Sequence, residues 1–191
     1  MTPRLRQVLL LATFLPWCWL AMMVVHELGH VLAAWMTGGT VERVVLHPLA
    51  ISRTDLGENP YPLVVSWAGA VVGCALPCFV WMITQVSRLS LAPFMRFFAG
   101  FCLVANGVYL GMGSWTGDGD AGDLIGAGAQ VWHLVVFGVG AVAAGCWLWH
   151  GLGPSFGFRG NLERMTTRSV VIAATVLAVT VGLELILSPR G

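Results

Sequence analysis

Charge is what this sequence has least of. Only 10% of its 191 residues are Asp, Glu, Lys or Arg, against roughly a quarter in a soluble globule. Lysine is missing altogether: the ten basic residues are all arginine, and with nine acids they leave a formal charge of +1. A balance this even suggests no nucleic-acid partner and no electrostatic funnel. Paired cysteine is missing too. Cys18, Cys74, Cys78, Cys102 and Cys146 all fall in apolar stretches and form no CxxC pair. That pattern argues against a disulfide framework or a thiolate metal site and leaves the five as small packing residues.

What the chain has in quantity is apolar length. It is 57% hydrophobic with a mean hydropathy of +0.80, the composition of an integral, multi-pass membrane protein. About 20 apolar residues cross roughly 30 Å of hydrocarbon. Five segments qualify, at about 8–37, 62–87, 92–113, 129–150 and 168–188. The opening "MTPRLRQVLLLATFLPWCWLA" has the arginines of a signal peptide, but its apolar run is too long for one and reads as a retained first span. After that span, Gly38 and Gly39 stop the helix, and the β-branched stretch Val41 to Leu46 precedes the turn residues Gly57, Asn59, Pro60 and Pro62. The expected fold is therefore an all-α polytopic membrane protein, a single domain over 1–191 with about five transmembrane helices and a short strand or hairpin after the first.

One stretch breaks the apolar pattern. In "WLAMMVVHELGHVLAAWMTGG", residues 19 to 39, two histidines and a glutamate lie inside a span, where a charged residue costs about 2.5 to 3.5 kcal/mol at the centre. His26 and His30 are four apart, so they share a helix face and can direct both imidazoles at one ion. Glu27 is close enough to take a proton from a water on that ion. This is the HExxH pattern of two zinc ligands and a general base. Such a site leaves one zinc position open for water, whose pKa falls to about 7.

Two histidines do not complete a zinc site. A third histidine in HExxHxxGxxH is excluded, because Ala33 and Met36 stand where its Gly and His belong. A glutamate on a following helix has poor candidates: Glu42 and Glu58 lie in the connector, and Glu163 and Glu184 are far down the chain. The five-span threading offers a better source. HELGH lies near the far end of span 1, on side B, and span 3 delivers "SWTGDGDAGDLIGAG", residues 114 to 128, to the same side. This acidic, glycine-rich loop has no basic residue, and Asp118, Asp120 and Asp123 are all open as the third ligand.

HELGH in the first span, "SWAGAVVG" in the second and "GDAGDLI" after the third resemble the site-2 protease family of intramembrane zinc metalloproteases, and among them the small bacterial members without a PDZ domain. The resemblance covers residues 20 to 125 or so, and HELGH is its one specific motif. The family's third ligand is the Asp of an LDG-type motif. Laid over this chain, that Asp is Asp120, with Gly119 in place of Leu and Ala121 in place of Gly; Asp123 and Asp118 remain the alternatives. Ala68-Gly69 stands for the family's AGP element, with Ala70 for Pro, and Asn106 corresponds to its substrate-binding Asn at a longer spacing. The resemblance implies a zinc metalloendopeptidase in the bacterial cell membrane, with Glu27 as catalytic base, acting on a transmembrane or membrane-associated protein. The alternative is a non-proteolytic zinc-binding membrane protein or a scaffold.

A transmembrane substrate must unwind before a carbonyl can be attacked, and an exposed strand edge can hold the unwound segment by β-addition. Val41 to Leu46, with Val44 and Val45, is the candidate edge. Sidedness draws two opposed expectations. Seven arginines on side A (Arg4, Arg6, Arg88, Arg96, Arg159, Arg164 and Arg168) against three on side B (Arg43, Arg53 and Arg190) place side A in the cytosol, whereas the resemblance implies a zinc nearer the cytosolic face. His47, His133 and His150 read as loop or interfacial residues, and Glu184 as snorkelling or pairing with Arg190.

Overall fold

The computed structural model describes residues 1–158, 162 and 166–188. Arg159, Glu163, Arg164 and Arg190, which entered the readings above, lie outside the described residues. The chain is an all-α polytopic membrane protein with a small sheet. Five helices among the described residues are long and apolar enough to cross a membrane: α1 (Pro3–Met36), α2 (Pro62–Val86), α3 (Ala92–Thr116), α5 (Val131–Trp149) and α6 (Thr167–Leu187). Between α3 and α5 lies a short helix, α4 (Gly119–Gly126). Strands β1 (Val41–Val45) and β2 (Arg53–Leu56) form an antiparallel hairpin.

α1 begins where local chemistry dictates. The Thr2 hydroxyl accepts the Leu5 N–H at 3.3 Å and Pro3 occupies the first turn, where its missing N–H costs nothing. His26 stands about 30 Å along the axis from Arg6, a distance equal to the thickness of the hydrocarbon. The helix stops four residues before β1. Thr37 donates its hydroxyl to the Ala33 carbonyl at 2.7 Å, and the Gly39 N–H returns to the Ala34 carbonyl at 2.8 Å. The hairpin is rooted at once, because Val41 and Leu56 pack on Ala33, Ala34 and Val65. One extra residue on β1, Glu42, interrupts the register between Val41 and Arg43.

Packing divides the bundle into two halves. Near side A, Phe14, Cys18, Met22 and Met23 of α1 meet Phe98 and Cys102 of α3 and Phe156, with Phe14 edge-on to Phe94 at 5.5 Å. Near side B the helices approach through small residues, as helices do in lipid. A Cβ on Gly29, inside HELGH, would overlap the Ala68 carbonyl and stand 2.9 Å from Gly69 Cα. α1 and α2 therefore cross backbone against backbone at the histidines. α6 runs along α1, with Val170 on Leu10 and Leu177 and Val181 on the aromatic cluster.

The 114–128 segment differs from the loop expected of it. α3 continues through Thr116, Gly117 ends it in the left-handed region at φ +72°, and α4 follows. Tertiary burial outweighs the poor helix propensity of glycine. Ala121 and Leu124, three apart, are 1% and 0% exposed among Ala70, Leu110 and Leu134.

Candidate metal centre

Five elements, α1, α2, α3, α4 and β2, converge at the side-B end of the bundle. α1 supplies His26, Glu27 and His30, which are 7%, 3% and 6% exposed. α4, docked through Ala121 and Leu124, supplies Asp120. One ligand atom of each of His26, His30 and Asp120 lies within 4.8 Å of the others. His26 Nε2 is 2.8 Å and His30 Nε2 3.2 Å from Asp120 Oδ2, and the two Nε2 atoms are 3.1 Å apart. Ligand atoms around a tetrahedral zinc are separated by roughly 3.3 Å. Asp118 and Asp123 are exposed and stand outside this group.

The histidine tautomers follow from what lies behind the rings. His30 Nδ1 is 2.8 Å from the Val65 carbonyl, a pure acceptor, so this nitrogen carries the proton. His26 Nδ1 is 2.6 Å from Asn106 Oδ1, and the Asn106 amide N–H donates to the Cys102 carbonyl at 2.8 Å. That second bond fixes the amide orientation and makes Asn106 Oδ1 the acceptor of the His26 Nδ1 proton. In a neutral imidazole both Nε2 atoms then present lone pairs toward a carboxylate oxygen. Three lone-pair donors at these distances need a cation, either protons on the imidazoles or a metal. Ligating histidines are usually held in this way through the other ring nitrogen.

Asp120 itself is placed by a narrow turn. Gly119 has φ +55°, and a Cβ there would overlap the Tyr109 hydroxyl, which accepts the Asp120 N–H at 3.2 Å. The Tyr109 ring also meets the His26 ring edge-on at 5.7 Å. Burial drives the Asp120 carboxyl up, but the two imidazoles facing it outweigh burial and hold it below the usual carboxylate range.

The residues read from sequence thus occupy different shells. His26, His30 and Asp120 are brought together. Glu27 lies beside them with Oε2 accepting the Thr54 hydroxyl at 2.7 Å. Asn106, expected at the substrate, is 1% exposed behind His26, with its amide committed on both sides to His26 Nδ1 and the Cys102 carbonyl. Val45 is buried at 6%. The Val44 carbonyl accepts the Ser188 hydroxyl at 3.2 Å, while Ser188 Oγ accepts the Leu46 N–H at 2.7 Å. The outer edge of β1 is therefore covered there by the end of α6. Glu184 is 4% exposed, and neither of its carboxyl oxygens has a partner among the described residues.

Sequence reasoning passed over Thr54, Tyr109, Ser188 and the Val65 carbonyl. Tyr109 is three residues from Asn106 on α3 and so shares its face, a usable signal. The other three are fixed by contacts over long sequence distances. No protein-family model, curated protein or solved structure matches the chain, so the chemistry of this site is read from its own atoms.

Proposed function

We propose that the protein is an intramembrane zinc endopeptidase, in which His26, His30 and Asp120 hold the metal and Glu27 is the general base. One observation carries the proposal. Three lone-pair atoms converge with both imidazole Nδ1 protons already committed, and the buried Glu27 adjoins His26 in the same helix. The donor set suits zinc, which takes imidazole nitrogen and carboxylate oxygen and in catalytic sites keeps three protein ligands. Charge balances too: two neutral imidazoles, two carboxylates and a divalent ion sum to zero in a setting where net charge is costly.

When bound, zinc polarises a peptide carbonyl and lowers the pKa of water to about 7. Glu27 takes the proton of the attacking water and delivers it to the leaving amine. Asn106 and Val65 keep both Nε2 lone pairs on the metal side. The substrate is a transmembrane or membrane-associated protein unwound at the cleavage point, and its extended segment reaches the β1 edge at Val44 and Val45 only by displacing Ser188 from it. The likeness of HELGH and "GDAGDLI" to the site-2 proteases supports this reading and a place in a bacterial cell membrane.

The test is cleavage of a model transmembrane peptide in liposomes by purified protein. Wild type should cleave, lose activity to a chelator and regain it with zinc. Glu27→Gln should keep its zinc and lose cleavage. Undiminished cleavage by that variant would refute the mechanism.

A further inference from the structure

Glu27 is held from outside its own helix. Resting on the endopeptidase reading, we propose that Thr54 of β2 is the positioning residue of the general base, fixing which carboxylate oxygen receives the proton. The Thr54 hydroxyl donates to Glu27 Oε2 at 2.7 Å across 27 residues of sequence. Strand alternation aims it there. Arg53 and Asp55 flank Thr54 on β2 and pair with each other at 3.0 Å on the exposed face, so the side chain between them points to the other face, toward α1. The hairpin cannot easily swing away. Thr54 is in register with Val44 of β1, and the hairpin base is closed by the Thr40 N–H to the Glu58 carbonyl at 2.8 Å and the Gly57 N–H to the Thr40 carbonyl at 3.0 Å.

The bond matters because the last torsion of a glutamate is broad and roughly two-fold. A base left to itself offers either oxygen over a range of angles. With Oε2 taken, Oε1 is the oxygen left for the water. A misplacement of about 1 Å in a reacting group can cost about 100-fold in rate.

Thr54→Val removes the hydroxyl at equal volume, and Thr54→Ser restores it. In the liposome assay, Thr54→Val should lower kcat about 10- to 100-fold, the usual cost of losing an outer-shell partner, with KM and zinc content unchanged. Thr54→Ser should return to near the wild-type rate. The second readout needs no turnover: the visible spectrum of the cobalt-loaded chain, which senses the group beside the metal's open position. Thr54→Val should shift it toward the spectrum of Glu27→Gln, while Thr54→Ser keeps the wild-type bands. Wild-type kcat and spectrum in Thr54→Val overturn the inference and leave the endopeptidase reading standing. If wild-type protein binds cobalt but cleaves nothing, the endopeptidase reading falls and the inference that rests on it falls too, an outcome distinct from an unaltered Thr54→Val. Loss of metal by both Thr54 variants would make the role purely structural and also overturn it.

Discussion

Gly69 of α2 offers the sharpest perturbation of the proposed metal centre, because it stands where no side chain fits. A Cβ there would overlap His30 Nε2 and lie 2.5 Å from His30 Cε1 and 2.8 Å from His26 Nε2. Ordinary heavy-atom contacts begin near 3.5 Å. One methyl group must therefore drive the His26 ring back by about 0.7 Å and the His30 ring by more than about 1 Å, against a tolerance of about 0.2 Å in metal–ligand distances. Retreat is blocked on two sides. Both Nδ1 atoms are already seated on acceptors at 2.6 and 2.8 Å, and α1 already touches the α2 backbone at Gly29. Gly69→Ala should weaken zinc binding at least about 100-fold, which is about 2.7 kcal/mol. Competition with a chromophoric chelator in detergent measures this. Gly140→Ala is the control, because a Cβ there meets nothing within 4 Å, and it should bind zinc as wild type does. Gly69→Ala binding zinc as tightly as wild type would show that these two nitrogens do not hold the metal.

Other perturbations separate the roles assigned above. Asn106→Leu leaves the His26 Nδ1 proton without its acceptor and should cost 10- to 100-fold in zinc affinity by the same titration. Asp120→Asn should abolish stoichiometric zinc in elemental analysis, whereas Asp118→Asn and Asp123→Asn, both exposed, should retain it. If an extended substrate adds to β1, it must replace Ser188 at Val44 and Leu46. Ser188→Ala should then lower KM for the model peptide, and an unchanged or raised KM would argue against that edge. The lowered pKa of Asp120 gives a signed pH effect. Its contribution to the stability of the metal-free fold is fully present above the unfolded carboxylate value near 4 and is lost as the pH falls from there toward the lower folded value. Melting curves of the metal-free protein should show that loss, and Asp120→Asn should not share it.

Much of this architecture was legible from hydropathy alone. The expected spans end within a few residues of α1, α2, α3, α5 and α6, because 20 apolar residues in lipid have few alternatives to a helix. HELGH was legible because ionisable residues inside such a span are costly and their spacing matches a helix face. α4 was not. "GDGDAGDLIG" is written in loop residues, and what makes it a helix is the burial of Ala121 and Leu124 against three other helices. The contacts that surround the site were hidden for a related reason. Val65 acts through its backbone, and Thr54 and Ser188 are unremarkable residues until the hairpin and the end of α6 fold against α1. Asn106 was picked out by likeness to a family motif, but its place behind His26 depends on the α1–α3 packing, which no local pattern encodes.

Zinc-edge X-ray absorption on the purified protein, with Asp120→Asn beside it, tests the central claim most directly. The account predicts zinc bound to two imidazole nitrogens and one carboxylate oxygen at about 2.0 to 2.2 Å, with a water in the fourth position and no sulfur. Asp120→Asn should lose that shell. A zinc closed by four protein ligands, a sulfur signal, or no bound metal in the wild-type chain would contradict it.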